Sequence, residues 1–333
     1  MNIVINTNYK ESTTKTCLYQ LGKKFSQAGH SVVYGDWENY QNYDVILFMS
    51  YDPEIEKAKK DNPKAMVGVL SSKLVSERHI KQARTADFLI VDSIEVRDLA
   101  WRYNKNVFIY FMFPEIDFLP KQHFKKEKII IGYHGNKVHL SNANSFKKAL
   151  DKLSEKYNIE FWAIYNIDKL GKWKFNLPEK CPVKHIQWSE SCYHEYLSKV
   201  DIGVCPGKTY INEFTSKLLA RSLINFLTNS IRYSKTDYII RFKYAINPGR
   251  IYPFSQLNIP VVADFMPSYG QIIQDGKSGF LAYSKEGWYY ALEQLILSSE
   301  LRQKMSDNLR EYIDNNCSPD INFKKFVKFV NSL

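Results

Sequence analysis

The sequence predicts an α/β protein of two successive doubly wound domains. Three observations lead there. Short apolar, β-branched runs alternate with helix-period stretches along most of the chain, the pattern of parallel sheets covered on both faces. The alternation breaks at a polar, proline-bearing stretch near Pro114 and then starts again. The length of 333 residues is enough for two cores of ordinary size.

The elements follow in order. In the first domain, residues 1–120, "NIVINTN" is a strand, and "TKTCLYQLGKKFSQAG" has helical spacing and stops at Gly29. "SVVYGD", "YDVILFMS", "AMVGVLS", "DFLIVDS" and "VFIYFMF" read as strands, the last four separated by helical "DPEIEKAKKD", "SERHIKQART" and "IEVRDLAWRYN". "PEIDFLPKQHFKKEK" reads as a linker. The second domain, residues 121–320, restarts with the strand "IIIGYHG" and the helix "SNANSFKKALDKLSEKY". The strands "IEFWAIYN", "VKHIQW", "DIGVCPG", "IPVVAD" and "GFLAYS" come next, with the helix "ESCYHEYLSKV" ahead of "DIGVCPG". Residues 213–233 have apolar positions at helical spacing and read as a further helix. Two helices then lead to a basic amphipathic one in residues 321–333, expected to pack back toward the first domain. Ligands of such sheets sit at the carboxyl ends of the strands, and two facing domains leave a cleft between them.

Composition narrows the function classes. No apolar run approaches the roughly 20 residues that span a bilayer, and "MNIVINTN" lacks the pattern of a signal peptide, so a cytoplasmic location is expected. The five cysteines are scattered, form no CxxC pair and do not group with the seven histidines, so no metal site and no cofactor are expected. Residues 1–120 hold 15 basic and 15 acidic side chains, whereas residues 121–333 hold 31 and 20. The net charge of +11 therefore lies wholly in the second part, which suits an anionic ligand such as a phosphate. GxGxxG and GxxxxGK[ST] are both absent, which removes the nicotinamide fingerprint and the P-loop.

Three turn segments carry candidate site residues. "GYHGN" follows the first strand of the second domain and presents His134, Gly135 and Asn136; glycine there lets backbone approach a ligand. "CPGK" puts Lys208 at the end of another strand of that sheet, and "NPGR" supplies Gly249 and Arg250. Lysine offers a point charge to phosphate and arginine a planar fork.

From about Asp201 onward, "VDIGVCP" and "RIYPFSQLNIPVVADFMPSYGQIIQDGKSGFLAYSKEGWYYALEQLILSSELRQKM" resemble the C-terminal half of nucleotide-sugar-dependent glycosyltransferases of the two-domain GT-B fold. That resemblance is to the bacterial surface-polysaccharide group in particular. It implies two Rossmann-like domains facing across a cleft, an acceptor side in residues 1–120 and a donor side in residues 121–320. It implies transfer of a sugar from a nucleotide-sugar donor to a glycan or lipid-linked acceptor, without a metal ion. The family's lysine falls on Arg250, and its paired glutamates fall on Ala245 and Pro253, neither of them acidic. Recognition of the donor ribose must therefore differ, and retention or inversion stays open. The family's glycine before the "PVVA" strand is Asn258. On this resemblance Arg250 and Lys243, then Lys208, are the expected diphosphate contacts, with Trp188 and Ser189 near the base, and Tyr252 either flanks the nucleotide or is a packing aromatic.

Asp36, Asp52 and Asp92 stand at strand ends of the first domain as candidates for a catalytic base, with helix capping the default for the latter two. Two other functions stay open: a sugar-nucleotide epimerase or other phosphate-linked group transferase of the same fold, and, from the pI near 9.1 and aromatic content, nucleic-acid binding. No nucleic-acid-binding motif is recognisable, so nucleic acid is not the expected partner. The basic segments also allow peripheral contact with the inner face of a membrane.

Overall fold

The structure is a computed structural model of the full chain, describing residues 1–8, 13–49, 54–71, 74, 76–111, 116–210, 240–242 and 248–333. It divides into two compact units. The first comprises Met1–Pro120, Tyr244–Asn258 and Asp307–Leu333; the second comprises Lys121–Lys243 and Ile259–Ser306. Each unit holds a six-stranded, all-parallel sheet.

In the first unit the elements are β1 (Asn2–Asn6), α1 (Thr13–Gln27), β2 (Ser31–Tyr34), β3 (Val45–Met49), α2 (Ile55–Asp61), β4 (Met66–Leu70), α3 (Glu77–Thr85), β5 (Phe88–Val91), α4 (Ile94–Ala100) and β6 (Val107–Ile109). The sheet order is β2-β1-β3-β4-β5-β6, so its topological switch lies between β1 and β3. β3 is buried at every position, as a central parallel strand covered on both faces must be. Leu18, Leu21 and Phe25 of α1 pack on one face, and Ile55, Ala58, Ala83 and Val96 of α2, α3 and α4 on the other.

The second unit runs β7 (Ile129–His134), α5 (Val138–Ser141), α6 (Asn144–Ser154), β8 (Ile159–Tyr165), α7 (Ile167–Leu170), β9 (Val183–Gln187), α8 (Tyr193–Leu197) and β10 (Ile202–Cys205). Two short strands, β11 (Lys208–Tyr210) and β12 (Ile240–Phe242), form a separate antiparallel ribbon. After a 3-10 turn, Pro248–Arg250, come α9 (Ile251–Gln256), β13 (Val261–Asp264), α10 (Pro267–Gly270), β14 (Phe280–Ala282), α11 (Lys285–Leu297), α12 (Ser299–Asn316) and α13 (Pro319–Val330). The sheet order is β14-β13-β10-β7-β8-β9, with its switch between β7 and β10. Phe146 and Leu150 of α6 and Trp288 and Leu292 of α11 fill one face.

As expected of the last helix, α13 joins the core of the first unit: Phe326 is fully buried, its ring 5.4 Å from that of Phe108 and 5.7 Å from that of Tyr110. Two stretches depart from the sequence boundaries: residues 244–258, expected in the second domain, cluster with the first unit, and so does the chain from Asp307 on. The stretch expected as an aromatic approach to a strand is the helix α9, because the proline at its third position needs no acceptor in a first turn. The helix expected over residues 213–233 lies outside the described residues.

The linker is pinned where it enters the second unit. The Asp201 carboxylate, with its side chain 1% exposed, accepts from Lys121 at 2.9 Å, Lys126 at 2.6 Å and the Ile130 N–H at 3.0 Å. Burial works against its charge, but the two ammonium groups and the N–H outweigh that and hold its pKa below the ordinary aspartate range. Arg302 adds a second tie, donating to the Leu295 carbonyl at the end of α11 and to the Phe124 carbonyl. Asp201→Ala strands the largely buried Lys121 ammonium and the Ile130 N–H and is expected to cost about 3–5 kcal/mol in denaturant melts at neutral pH. Because the folded pKa is depressed, that gap should narrow as pH falls below the ordinary aspartate value.

Candidate functional site

The switch point of the second sheet gathers the segments singled out from sequence. β7 and β10 are hydrogen-bonded neighbours, with Gly132 opposite Gly203, so "HGN" and "PGK" leave adjacent strand ends. Gly132 lets that pair run beside Val200: a Cβ on it would come within 2.3 Å of the Val200 side chain.

On the β7 side the turn is held tightly. Gly135 has a φ of 133°, which L side chains rarely adopt, and its N–H donates to Ile164. The buried Tyr133 hydroxyl donates to the Asn136 carbonyl at 2.7 Å, and the Asn136 side-chain oxygen accepts the Val138 N–H. Asn136 is exposed at the strand end, whereas His134 is buried.

On the β10 side a buried carboxylate sets the turn. Asp264, ending β13, accepts the Gly207 N–H at 2.7 Å and the Trp288 indole N–H at 3.1 Å. Neither Gly207 nor the chain before it can slip while both bonds hold. The backbone of Lys208 opens β11 just beyond this fixed point, opposite Phe242.

An aromatic stack completes the edge. His134 and Tyr193 lie 6.0 Å apart between ring centroids, inclined by 28°, and Tyr193 and Trp188 lie 5.8 Å apart, inclined by 30°. Trp188 is half-buried, one residue past β9, and its N–H donates to the Tyr165 carbonyl. Ser189 hydrogen-bonds Cys192 at 2.6 Å and accepts the Tyr193 N–H on its carbonyl, which seats α8. Tyr193, the middle of the stack, was not legible from sequence; its signal is aromatic residues recurring at 188, 193 and 196 across a strand-to-helix loop.

The structure thus brings His134, Gly135, Asn136, Trp188, Ser189 and the Lys208 backbone to one sheet edge. The remaining expected residues belong to other segments or lie outside the described residues. Gly249 and Arg250 are half-buried in the 3-10 turn before α9, in a segment that clusters with the first unit. Tyr252 is fully buried, its ring 6.3 Å from that of Phe111, so of its two expected roles the structure gives it that of a packing aromatic and not of a nucleotide contact. Lys243 lies outside the described residues.

Two of the three candidate bases can be judged in place. The Asp36 carboxylate accepts the Tyr43 hydroxyl at 2.7 Å, the N–H groups of Glu38 and Asn39, and the Asn39 amide. The Tyr43 bond foremost pulls its pKa down to about 2, so it is a loop anchor with little basicity. Asp92 accepts from Ser71 at 3.3 Å and leaves the cap position of α4 to Ser93. Asp52 lies outside the described residues. Among the described residues, no three His, Cys, Asp or Glu side chains are grouped to hold a metal ion, and no helix is long and apolar enough to cross a membrane.

Two six-stranded parallel sheets flanked by helices, each with its switch point, make the class plain: this is the pair of Rossmann-like units of the GT-B fold. Solved structures are similar over the whole chain. HepE of Anabaena, in complex with UDP and glucose, superposes with a TM-score of 0.65 at 10% identity, covering 100% of both chains. A glycosyltransferase of Rickettsia africae gives a TM-score of 0.64 at 11% identity, over 98% of this chain and 97% of that one. TarM of S. aureus, bound to fondaparinux, alpha-GlcNAc-glycerol and UDP, gives 0.60 at 14% identity, over 95% of this chain and 58% of TarM. At these identities the likeness is one of fold. No family model matches the sequence, and no curated protein matches it.

Two measurements test the geometry. Tyr43→Phe should raise the Asp36 pKa from about 2 toward the ordinary value, read by carboxyl NMR titration. The stability that this bond contributes is present above about pH 4 and lost toward pH 2, so the variant should approach the wild type in acid. Gly207→Ala places a Cβ 2.3 Å from the Met266 sulfur and is expected to cost about 1–3 kcal/mol in a denaturant melt.

Proposed function

We propose that the chain is a glycosyltransferase that binds a nucleotide-sugar donor at the β7/β10 switch of the second unit and passes its sugar to a hydroxyl acceptor. The observation that carries this reading is the meeting of the Gly135–Asn136 turn, the pinned Gly207–Lys208 turn and the Trp188–Tyr193–His134 stack at one sheet edge. Open backbone at a switch point suits a diphosphate, and half-buried aromatic surface suits a base. The UDP and UDP-glucose bound by structural neighbours of the same fold support a nucleotide-sugar donor.

Under this reading the anomeric bond breaks with charge developing on the leaving diphosphate. Lys208 stabilises that charge electrostatically, without a metal ion, and Arg250 and Lys243 are proposed as further diphosphate contacts. The acceptor is proposed to be a glycan or lipid-linked sugar in surface-polysaccharide synthesis, handled in the cytoplasm at the inner face of a membrane.

A thermal-shift series with UDP, GDP, CDP and CMP tests the donor site. At a hundredfold excess over Kd, the matching nucleotide should raise Tm by roughly 5–10 °C. Asn136→Ala, Lys208→Ala and Arg250→Ala should each reduce that rise. No shift with any nucleotide or nucleotide sugar in the wild type would refute the donor reading.

A further inference from the structure

The first unit carries a group of polar atoms that the donor site does not use, at the adjoining carboxyl ends of β4 and β5. Ser93 is fully buried and sits at the cap position of α4, yet its hydroxyl makes no capping bond and has no hydrogen-bond partner. Two residues on, both carboxylate oxygens of Glu95 are shut off from solvent and have no partner either. Beside them Asp92 accepts the Ser71 hydroxyl at 3.3 Å, and Ser71 holds a φ of 52°, a conformation that serine seldom adopts. The Ser71 N–H donates to the Ile90 carbonyl, which keeps the two strand ends together.

A buried hydroxyl and a buried carboxylate without partners both destabilise a fold, the charge far more. Folded proteins leave such groups few in number, and each calls for an explanation, a bound group that completes it being one. The donor and acceptor inventory narrows it. A carboxylate only accepts, through two oxygens, while a serine hydroxyl both donates and accepts. A phosphate is repelled by Glu95 and by Asp92 next to it. Neighbouring hydroxyls of a sugar meet both requirements.

We infer that Ser93 and Glu95 are hydroxyl-binding contacts for the sugar acceptor. The Glu95 carboxylate accepts from acceptor hydroxyls, and the Ser93 hydroxyl bonds a neighbouring one. The acceptor role rests on the glycosyltransferase reading; the claim that a polyhydroxylated ligand completes this pair stands on the unpartnered atoms.

The test uses the full chain as wild type, Ser93→Ala and Glu95→Gln, melted alone, with UDP and with a panel of methyl glycosides. Each substitution removes an unmet atom or charge, so the ligand-free Tm should rise by about 1–4 °C. A residue serving only as a helix cap would instead lower it. At least one glycoside should stabilise the wild type, and both variants should bind it about tenfold more weakly, while the UDP shift stays the same. A lower ligand-free Tm in both variants overturns the inference. So does a glycoside shift retained in both, or a wild type that no glycoside stabilises. Absence of a shift with every nucleotide and nucleotide sugar in the wild type would refute the donor reading alone, and the ligand-free and glycoside melts would still decide the pair.

Discussion

The handedness of the crossover between parallel strands is the constraint on which the rest depends. A parallel strand reaches its neighbour only through a crossover, and that crossover is right-handed. The second sheet grows outward from β7 in both directions, to β8 and β9 on one side and to β10, β13 and β14 on the other. Helices serving the two directions therefore go to opposite faces, and the connections leaving β7 and β10 part company. What remains between them is open backbone at the carboxyl edge, where Gly135 turns and where Gly207 is anchored. The first sheet obeys the same rule, with α1 on one face and α2, α3 and α4 on the other.

Charge is handled in two opposite ways. Asp201 and Asp264 are buried and fully engaged, by two lysines and an N–H in one case and by an N–H and an indole in the other. Satisfied networks of this kind stiffen the chain, and both fasten a joint: the linker entry and the β10 turn. Asp36 belongs with them, an anchor whose bonds remove its basicity. Ser93 and Glu95 are the contrast, polar atoms buried at a sheet edge with nothing of the protein to meet them. Proteins tolerate that arrangement where binding needs it and stability elsewhere can carry it.

Much of the fold was legible because its signals are local. Strand runs such as "VILFM" and "IIIGYH" sit at the observed β3 and β7, since a strand buried on both faces needs unbroken apolar sequence. Asn258 stands where the resembled family has glycine, and its φ of 58° gives the reason: only glycine and a few polar residues, asparagine among them, enter that region readily. Less of the site was legible. "GYHGN" and "CPGK" could be read as strand-end turns, but not that β7 and β10 would be neighbours, nor that Asp264, 57 residues beyond Gly207, would set the second turn.

The sequence by itself determined two doubly wound α/β domains, the strand-end turns at Gly135 and Gly207, and the concentration of positive charge in residues 121–333. Period, propensity and turn chemistry act over a few residues, so they survive without a partner. Tertiary structure alone decided that α9 joins the first unit, that Tyr193 links His134 to Trp188, and that the Ser93 hydroxyl and the Glu95 carboxylate are shut in unmet. Each of those outcomes depends on which distant elements close over a side chain, and burial is a property of the closed fold that no short window of sequence contains.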